Sequence, residues 1–257
     1  MYNFEFEKPA TVAEAVAALG GEEAQALGGG QTLIPTLKQR LAMPGTLVSL
    51  TGIAEMKGVS SEDGVLSIGG GTSHATVEAE AGAYPALAAL ASHIGDPAVR
   101  NRGTIGGSLA NNDPAACYPA AALASGATIV TNTREIAADD YFQGLFTTAL
   151  DEGEIITAVR FPIPMAANYQ KFVQPASRFA MVGVFVARFA DGVRVAVTGA
   201  SEDGVFCWSE AEAALSSNFA PDAVDGLSVD ANGMIGDIHG TKAYRAHLVG
   251  VMTRRAV

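Results

Sequence analysis

Ile94-Gly95-Asp96-Pro97-Ala98-Val99-Arg100-Asn101-Arg102-Gly103-Thr104-Ile105-Gly106-Gly107-Ser108-Leu109-Ala110 is the stretch on which the fold reading turns. It opens the densest turn region of the chain, Gly95 to Pro114. Its Thr104-Ile105-Gly106-Gly107-Ser108 core shares a design with two earlier segments, Gly28-Gly29-Gly30-Gln31-Thr32 and Gly69-Gly70-Gly71-Thr72-Ser73. Each sets paired glycines among small hydroxyl or amide residues. Glycine lets the backbone turn with positive φ and approach a ligand closely. Successive N–H groups in such a turn make an anion-binding nest, and a helix starting just behind it adds a favourable dipole. Thr32 and Ser108 add hydroxyl donors. Loops of this kind suit a pyrophosphate without a lysine. Any one Gly-Gly pair alone reads as an ordinary tight turn, so the weight lies on the repetition. The chain holds neither G-x-x-x-x-G-K-[ST] nor a βαβ G-x-G-x-x-G with an acid about 20 residues on, so a dinucleotide site here is built another way.

The bulk composition narrows the remaining classes. The chain has 257 residues, 49% of them hydrophobic and 17% charged, which supports a sizeable core and excludes disorder. A net charge of −11, with no Lys/Arg run before Arg254-Arg255, argues against nucleic acid. The two cysteines, Cys117 and Cys207, cannot supply a four-cysteine iron–sulfur cluster or a zinc knuckle. A disulfide between them is possible on paper, but nothing else points to secretion. The start, Met1 to Glu7, lacks the basic and apolar regions of a signal peptide, and no 18-residue apolar run suggests a membrane span. The expected location is cytoplasmic.

Outward from the central run, the pattern reads as three parts. Thr11-Val12-Ala13-Glu14 has capping-box form, and Val12, Ala15, Val16 and Leu19 make a helical stripe stopped by Gly20-Gly21. A strand over Ala24 to Leu27, a helix from Leu33 to about Arg40 with Pro35 in its first turn, and a strand over Leu47 to Leu50 complete a small α/β lobe. A second lobe opens with a strand over Val65 to Ile68 and a helix around Pro85 to Ser92. Asp113-Pro114 reads as an N-cap with proline at N1, starting a helix that Pro119 kinks and Ser125-Gly126 ends. Thr128 to Thr131 and Ile155 to Phe161 read as strands. Past Pro162 and Pro164, three strands (Tyr169 to Gln174, Met181 to Phe189, Val193 to Thr198) precede a second capping-box pattern at Ser209 to Glu212. Ala190-Asp191-Gly192 reads as a hairpin turn between the last two strands, and a final helix spans Lys242 to Arg255.

Leu27-Gly28-Gly29-Gly30-Gln31-Thr32-Leu33-Ile34-Pro35 resembles the first FAD loop of flavoprotein subunits in the xanthine dehydrogenase/aerobic carbon monoxide dehydrogenase family. The run from Ile94 to Ala110 resembles the second loop over its whole length. The likeness continues through Tyr169-Gln170-Lys171-Phe172 and the Met181–Val186 strand, and the medium subunit of carbon monoxide dehydrogenases is the nearest form. It implies an α+β protein: a two-lobed FAD-binding domain of the vanillyl-alcohol-oxidase (PCMH) type over residues 1–164, with lobe one about 1–55 and lobe two about 56–164, then a small α+β domain over 165–257. Backbone amides of both loops would wrap the pyrophosphate, with Thr104, Ile105, Gly106, Gly107 and Ser108 forming the second grip. By position, Ile94 and Leu150 would lie against the flavin or its near neighbours. Lys171 would sit near the isoalloxazine edge, where a cation favours the anionic reduced flavin.

Two departures stand out. Many relatives carry an aspartate where this chain has Cys117; a thiol is a poor acceptor, so Asp113 or Asn112 is the candidate substitute, or Cys117 is simply a buried helix residue. Ser177-Arg178-Phe179-Ala180 lacks the acid that often precedes the aromatic residue. His74 and His93 could line the cleft or be structural, and Arg100 and Arg102 could reach phosphate or form ion pairs. No His makes a convincing covalent attachment point, so the FAD is expected to be non-covalent. No spacing suggests a metal site or a hydrolase elbow.

The resemblance implies an electron-transfer subunit of a molybdenum hydroxylase. A large partner would hold the molybdenum cofactor, and a small partner the [2Fe–2S] clusters. The whole would be a dimer of heterotrimers, passing electrons through FAD to quinone or NAD. Association with the inner face of the cell membrane would run through partners. The alternatives are a free-standing FAD-dependent oxidoreductase of the same fold and a non-catalytic nucleotide-binding scaffold.

Overall fold

The computed structural model describes residues 1–257. Lobe one comprises β1 (Glu5–Glu7), α1 (Val12–Leu19), β2 (Ala24–Leu27), α2 (Leu33–Lys38) and β3 (Thr46–Ser49), with the strands parallel in the order β1-β3-β2. Thr11 caps α1 by accepting from the Glu14 N–H, while the Glu14 carboxylate returns to the N–H of Ala10 at 2.8 Å, one residue before the cap. The small core of the lobe gathers Ala15, Val48, Ile53 and Met56, and Ile155 joins it from lobe two.

Lobe two runs through β4 (Val59–Glu62), β5 (Val65–Gly69), α3 (His74–Glu80), α4 (Pro85–Ser92), α5 (Pro97–Arg100), α6 (Ile105–Asn111), α7 (Tyr118–Ser125), β6 (Thr128–Thr131), β7 (Glu135–Ala137), α8 (Ala138–Tyr141), β8 (Phe142–Gly144), β9 (Thr147–Thr148) and β10 (Ile156–Pro162). Its antiparallel sheet has the order β4-β5-β10-β6-β7. The last strand thus inserts at the centre and ties off everything between β5 and β10. That closure fixes the ends of the long helical excursion carrying the turn-rich run.

The third part is an antiparallel meander of β11 (Ala166–Val173), β12 (Ala180–Arg188), β13 (Val193–Ser201) and β14 (Gly204–Cys207), followed by α9 (Ser209–Ser217) and α10 (Lys242–Ala256). It has four strands where the sequence suggests three; Gly204–Cys207 is short and half-buried and carries no alternation long enough to read. β12 is buried on both faces. Val182, Val184 and Val186 face the core beneath α10, which α9 completes from β13, while Phe185 and Ala187 join the core of lobe two beside α7. Each of these fully buried valines and the phenylalanine contributes about 1.5–3 kcal/mol. Arg245 of α10 is itself buried, donating to the carbonyls of Met181 (2.6 Å) and Gly199 (2.9 Å) and pairing with Asp237 (2.6 Å).

Two sequence expectations are corrected here. α7 starts at Tyr118 rather than at Asp113-Pro114, which places Pro119 in its first turn, where a missing N–H costs nothing. α9 is preceded by Trp208, so Ser209 is not its cap, and Glu212 accepts from the Val195 N–H at 2.9 Å instead of closing a box. A strand amide left unpaired beside the helix competes for that carboxylate and wins.

Candidate functional site

The C-terminal end of β2 and the N-terminal end of α6 meet over one cleft of about 580 Å³, within the usual range for a cofactor or small-molecule site. Lobe one contributes Leu27 to Leu33, lobe two Ile94 and the Gly103–Ser108 segment, and the meander Lys171 and the Ser177–Phe179 turn. Of the eighteen residues anticipated from sequence, sixteen line this space: Leu27, Gly28, Gly29, Gly30, Gln31, Thr32, Leu33, Ile94, Thr104, Gly106, Gly107, Ser108, Asp113, Cys117, Leu150 and Lys171. Ile105 and Asn112 do not. Ile105 is wholly buried in the core of lobe two. Asn112 takes a left-handed turn (φ 42°) at the end of α6 and spends its amide on the carbonyls of Gly144 (2.8 Å) and Thr147 (2.9 Å). It is therefore not the substitute for the missing aspartate.

The two glycine loops divide the work that the sequence assigns to both. In the first, Gly30 takes φ 72° and turns the chain into α2. The backbone N–H groups of Gly29, Gly30, Gln31, Thr32 and Leu33 donate to no protein acceptor. Some of these are the orphan donors of a helix start, and together they make a five-residue anion cradle. In the second loop every amide except that of Thr104 is already used. Ile105 donates to Thr72 O (3.1 Å), Gly106 to Gly70 O (2.9 Å), Gly107 to Thr104 Oγ1 (3.1 Å) and Ser108 to Thr104 O (3.0 Å). Its glycines serve close approach instead. A β-carbon on Gly106 would fall 2.6 Å from Gly70 O, and one on Gly28 would meet Thr104 Oγ1 at 3.0 Å. The side chains of Ser108 and Asn111, bonded to no other protein group, are what this loop offers to the cleft. The Gly69–Gly71 amides are likewise committed, to Gly58, Thr157 and Met56, so this third cluster is packing rather than cradle.

Asp113 lines the cleft half-buried, one oxygen accepting from the Ala115 N–H at 2.8 Å, and burial raises its carboxyl pKa. The turn that carries it is pinned from the meander: Thr198 Oγ1 donates to the carbonyls of Pro114 (2.9 Å) and Ala116 (2.7 Å), and Gly199 N donates to Pro114 O (2.7 Å). Cys117 follows at the base of α7, buried and beside Tyr169. The Tyr169 hydroxyl has no well-formed hydrogen bond, and burial, then the neighbouring thiol, pushes its pKa up.

Lys171 on β11 reaches across to the carbonyl of His93 (2.8 Å), clamping the segment that presents Ile94. Arg100 is an internal tie rather than a phosphate ligand: its Nε meets Glu78 at 3.0 Å and its Nη1 the Ile94 carbonyl at 3.3 Å. Arg102 turns its side chain outside the cleft while its carbonyl abuts Gly29. His74 lies in the cleft wall, its backbone N–H bonded to Gly103 O at 2.9 Å. Burial, then Arg100, pushes its pKa down to about 4, so the ring is neutral at physiological pH. Burial, then Lys171 and Arg100, also lowers that of His93.

Sequence reasoning missed Glu154. Its carboxylate accepts from Thr131 Oγ1 (2.6 Å), Thr133 Oγ1 (2.7 Å), the Asp151 N–H (2.8 Å) and Arg134, and the Arg134 bonds above all hold its pKa far below the usual carboxylate range. This knot fixes the turn that delivers Leu150. Inside Asp151-Glu152-Gly153-Glu154 nothing marks one acid from its neighbours, so no local signal could have found it. Nowhere do three His, Cys, Asp or Glu side chains gather as a metal site. No helix is long and apolar enough to cross a membrane.

Comparison with known proteins places this geometry among flavoproteins. A family profile described as the FAD binding domain in molybdopterin dehydrogenase matches residues 2–164. The chain is 32% identical to the carbon monoxide dehydrogenase medium chain of Afipia carboxidovorans, over 99% of this chain and 96% of that one. It is also 32% identical to the nicotine 6-hydroxylase medium subunit of Paenarthrobacter nicotinovorans, over 98% and 95%. The reconstituted CO dehydrogenase from Oligotropha carboxidovorans superposes with a TM-score of 0.90 at 30% identity, covering 99% of this chain and 96% of that one.

Proposed function

Because the chain belongs to the family of FAD-binding domains in molybdopterin dehydrogenase, we propose that it is the FAD-binding medium subunit of a molybdenum hydroxylase of the carbon monoxide dehydrogenase kind. The observation that carries this is the row of five undonated N–H groups from Gly29 to Leu33, set in a cleft shared by both lobes. Gly29, Gly30 and Leu33 are half-buried and Gln31 and Thr32 exposed, so the row is open to a ligand, and a diphosphate is the anion that such a run of free N–H groups satisfies. The residues present fit the cofactor. The first loop's amides would hold the diphosphate, Ser108 and Asn111 would add polar contacts from the second, and Asp113 would offer an acceptor to a hydroxyl or amide of the cofactor. Ile94 and Leu150 would flank the flavin, and Lys171 would supply a cation near its edge.

When bound, FAD supplies both one- and two-electron chemistry, which suits a relay between single-electron clusters and a two-electron acceptor. The chain's own part is placement and electrostatics. Its apolar walls exclude water, Lys171 contributes a positive field, and neither needs a proton-transfer pair. The medium chains and subunits that it resembles are named as parts of multi-subunit enzymes, and this chain works beside larger and smaller partners. We assign the molybdenum cofactor to the larger and the [2Fe–2S] clusters to the smaller, in a dimer of heterotrimers that delivers electrons to quinone or NAD. We keep residues 1–164 as the cofactor-binding unit and 165–257 as the unit that backs it. Equal identity to a carbon monoxide enzyme and a nicotine hydroxylase leaves the oxidised substrate to the larger partner.

The test is direct. The purified full chain should carry a flavin that acid denaturation releases into the supernatant as FAD. A colourless protein that takes up no added FAD refutes the proposal, and colour retained in the pellet refutes non-covalent attachment. In the assembled complex, flavin reduction by substrate should require the iron–sulfur subunit.

A further inference from the structure

The cleft contains a polar group that nothing above uses. His74 is 5% exposed, and its Nδ1 is sealed from solvent without a hydrogen-bond partner. Its Nε2 also lacks a protein partner, yet it is not sealed, and the opening that the ring lines is the cofactor cleft. The position is set by backbone on both sides. His74 N donates to Gly103 O, Ser73 bridges Thr104, and a β-carbon on Gly103 would come 2.6 Å from Nε2. The Gly103 segment in turn abuts Gly29, the first residue of the amide cradle. The imidazole nitrogen therefore looks onto the cleft beside the cradle and not at its flavin end.

We propose that His74 is a further FAD-binding residue, its Nε2–H donating a hydrogen bond to an oxygen of the diphosphate or the adjoining ribityl chain. The inference rests on the FAD assignment above. Burial and the nearby Arg100 guanidinium keep the ring uncharged, so it acts as a neutral donor. A neutral imidazole has one N–H. Placing it on the sealed Nδ1 would bury an unpaired donor, whereas placing it on Nε2 leaves only a lone pair buried and aims the donor at the ligand. Tyr118, whose ring centroid lies 5.4 Å away, packs against the imidazole and holds its orientation. The neighbouring cations do not compete for this role, since Arg100 is tied to Glu78 and Ile94.

The experiment titrates FAD into flavin-stripped full-length chain and follows flavin fluorescence, for the wild type, His74→Phe and His74→Gln. The phenyl ring keeps the packing on Tyr118 and removes the donor; the glutamine amide can restore an N–H. The expected result is about tenfold weaker FAD binding for His74→Phe at unchanged melting temperature of the stripped chain, and less than threefold for His74→Gln. Wild-type affinity in His74→Phe overturns the inference. So does equal weakening in both variants with equal loss of melting temperature, which would mark a purely structural residue. The wild-type chain gives a second readout: the Nε2 nitrogen resonance of His74 should shift on FAD addition, and an unmoved resonance overturns the inference even if the variants fail to fold. A wild-type chain that binds no FAD overturns the FAD assignment itself and this inference with it.

Discussion

The α-carbon of Gly29 rests against the carbonyl of Arg102, so the loop of lobe one and the loop of lobe two touch backbone to backbone. A β-carbon on Gly29 would overlap that oxygen and come within 2.5 Å of Gly103 Cα. Neither obstacle is a side chain that can swing away. The relation explains why a glycine is needed there for reasons apart from φ: Gly29 has no positive φ, yet the position has no room for a side-chain atom.

Gly29→Ala should therefore force the lobes apart. We expect a destabilisation of about 3 kcal/mol, in the range of severe overpacking, and loss of bound flavin on purification. Gly82→Ala is the control, since a β-carbon there meets nothing within 4 Å. Thermal melts and the flavin-to-protein absorbance ratio check both. An alanine at 29 that leaves both values unchanged would show that the loops separate without cost.

His74 couples stability to pH. Its pKa falls from 6.5 in the unfolded chain to about 4 in the folded one. Between those values the unfolded chain binds the proton that the folded chain refuses, so stability rises with pH. The contribution is complete above about pH 6.5 and lost progressively down to pH 4, about 3 kcal/mol in all. Urea midpoints of wild type and His74→Phe should converge in trend above neutrality, and the variant should show the shallower decline toward pH 4. Parallel profiles would contradict this.

Glu154 should behave as a carboxylate whose charge is the point. Glu154→Gln keeps the shape but surrenders the charge-assisted bonds to Arg134, and the melting temperature at pH 7 should fall. Its depressed pKa gives the opposite kind of group the same sign: the stabilisation is present above the ordinary carboxylate pKa and lost as pH falls below it. The gap between wild type and variant should thus narrow below pH 4. Weaker FAD retention by the variant would trace the loosening to Leu150.

Lys171→Met removes the cation at the cleft edge without touching the amide cradle. Flavin content should be retained, and the two-electron potential of the flavin should become about 50 mV more negative, as expected for a unit charge acting through a partly screened medium. Spectroelectrochemical titration measures it. An unchanged potential would mean that Lys171 serves only as the tie to His93.

Much of the fold was legible because the signals were local. Pro85 to Ser92 forms α4 and Thr128 to Thr131 forms β6 at the expected bounds, and Gly126 ends α7 at φ 58°. Where a helix start was misread, a distant group had intervened. Asp113 looked like a helix cap, but Thr198 and Gly199 of β13 hold its turn out of the helix through the Pro114 and Ala116 carbonyls. Glu212 looked like half of a capping box, but the Val195 amide claims it.

By itself, the sequence determined where the glycine-rich turns fall and that a strand or helix flanks each, because glycine content and strand-then-turn order are properties of neighbouring residues. The division of labour was decided only in three dimensions. The Gly106 amide is spent on Gly70, while those of Gly29 to Leu33 stay free. A hydrogen bond depends on what the rest of the chain brings within 3 Å, and residues 36 positions apart in sequence carry no mark of whether they will meet.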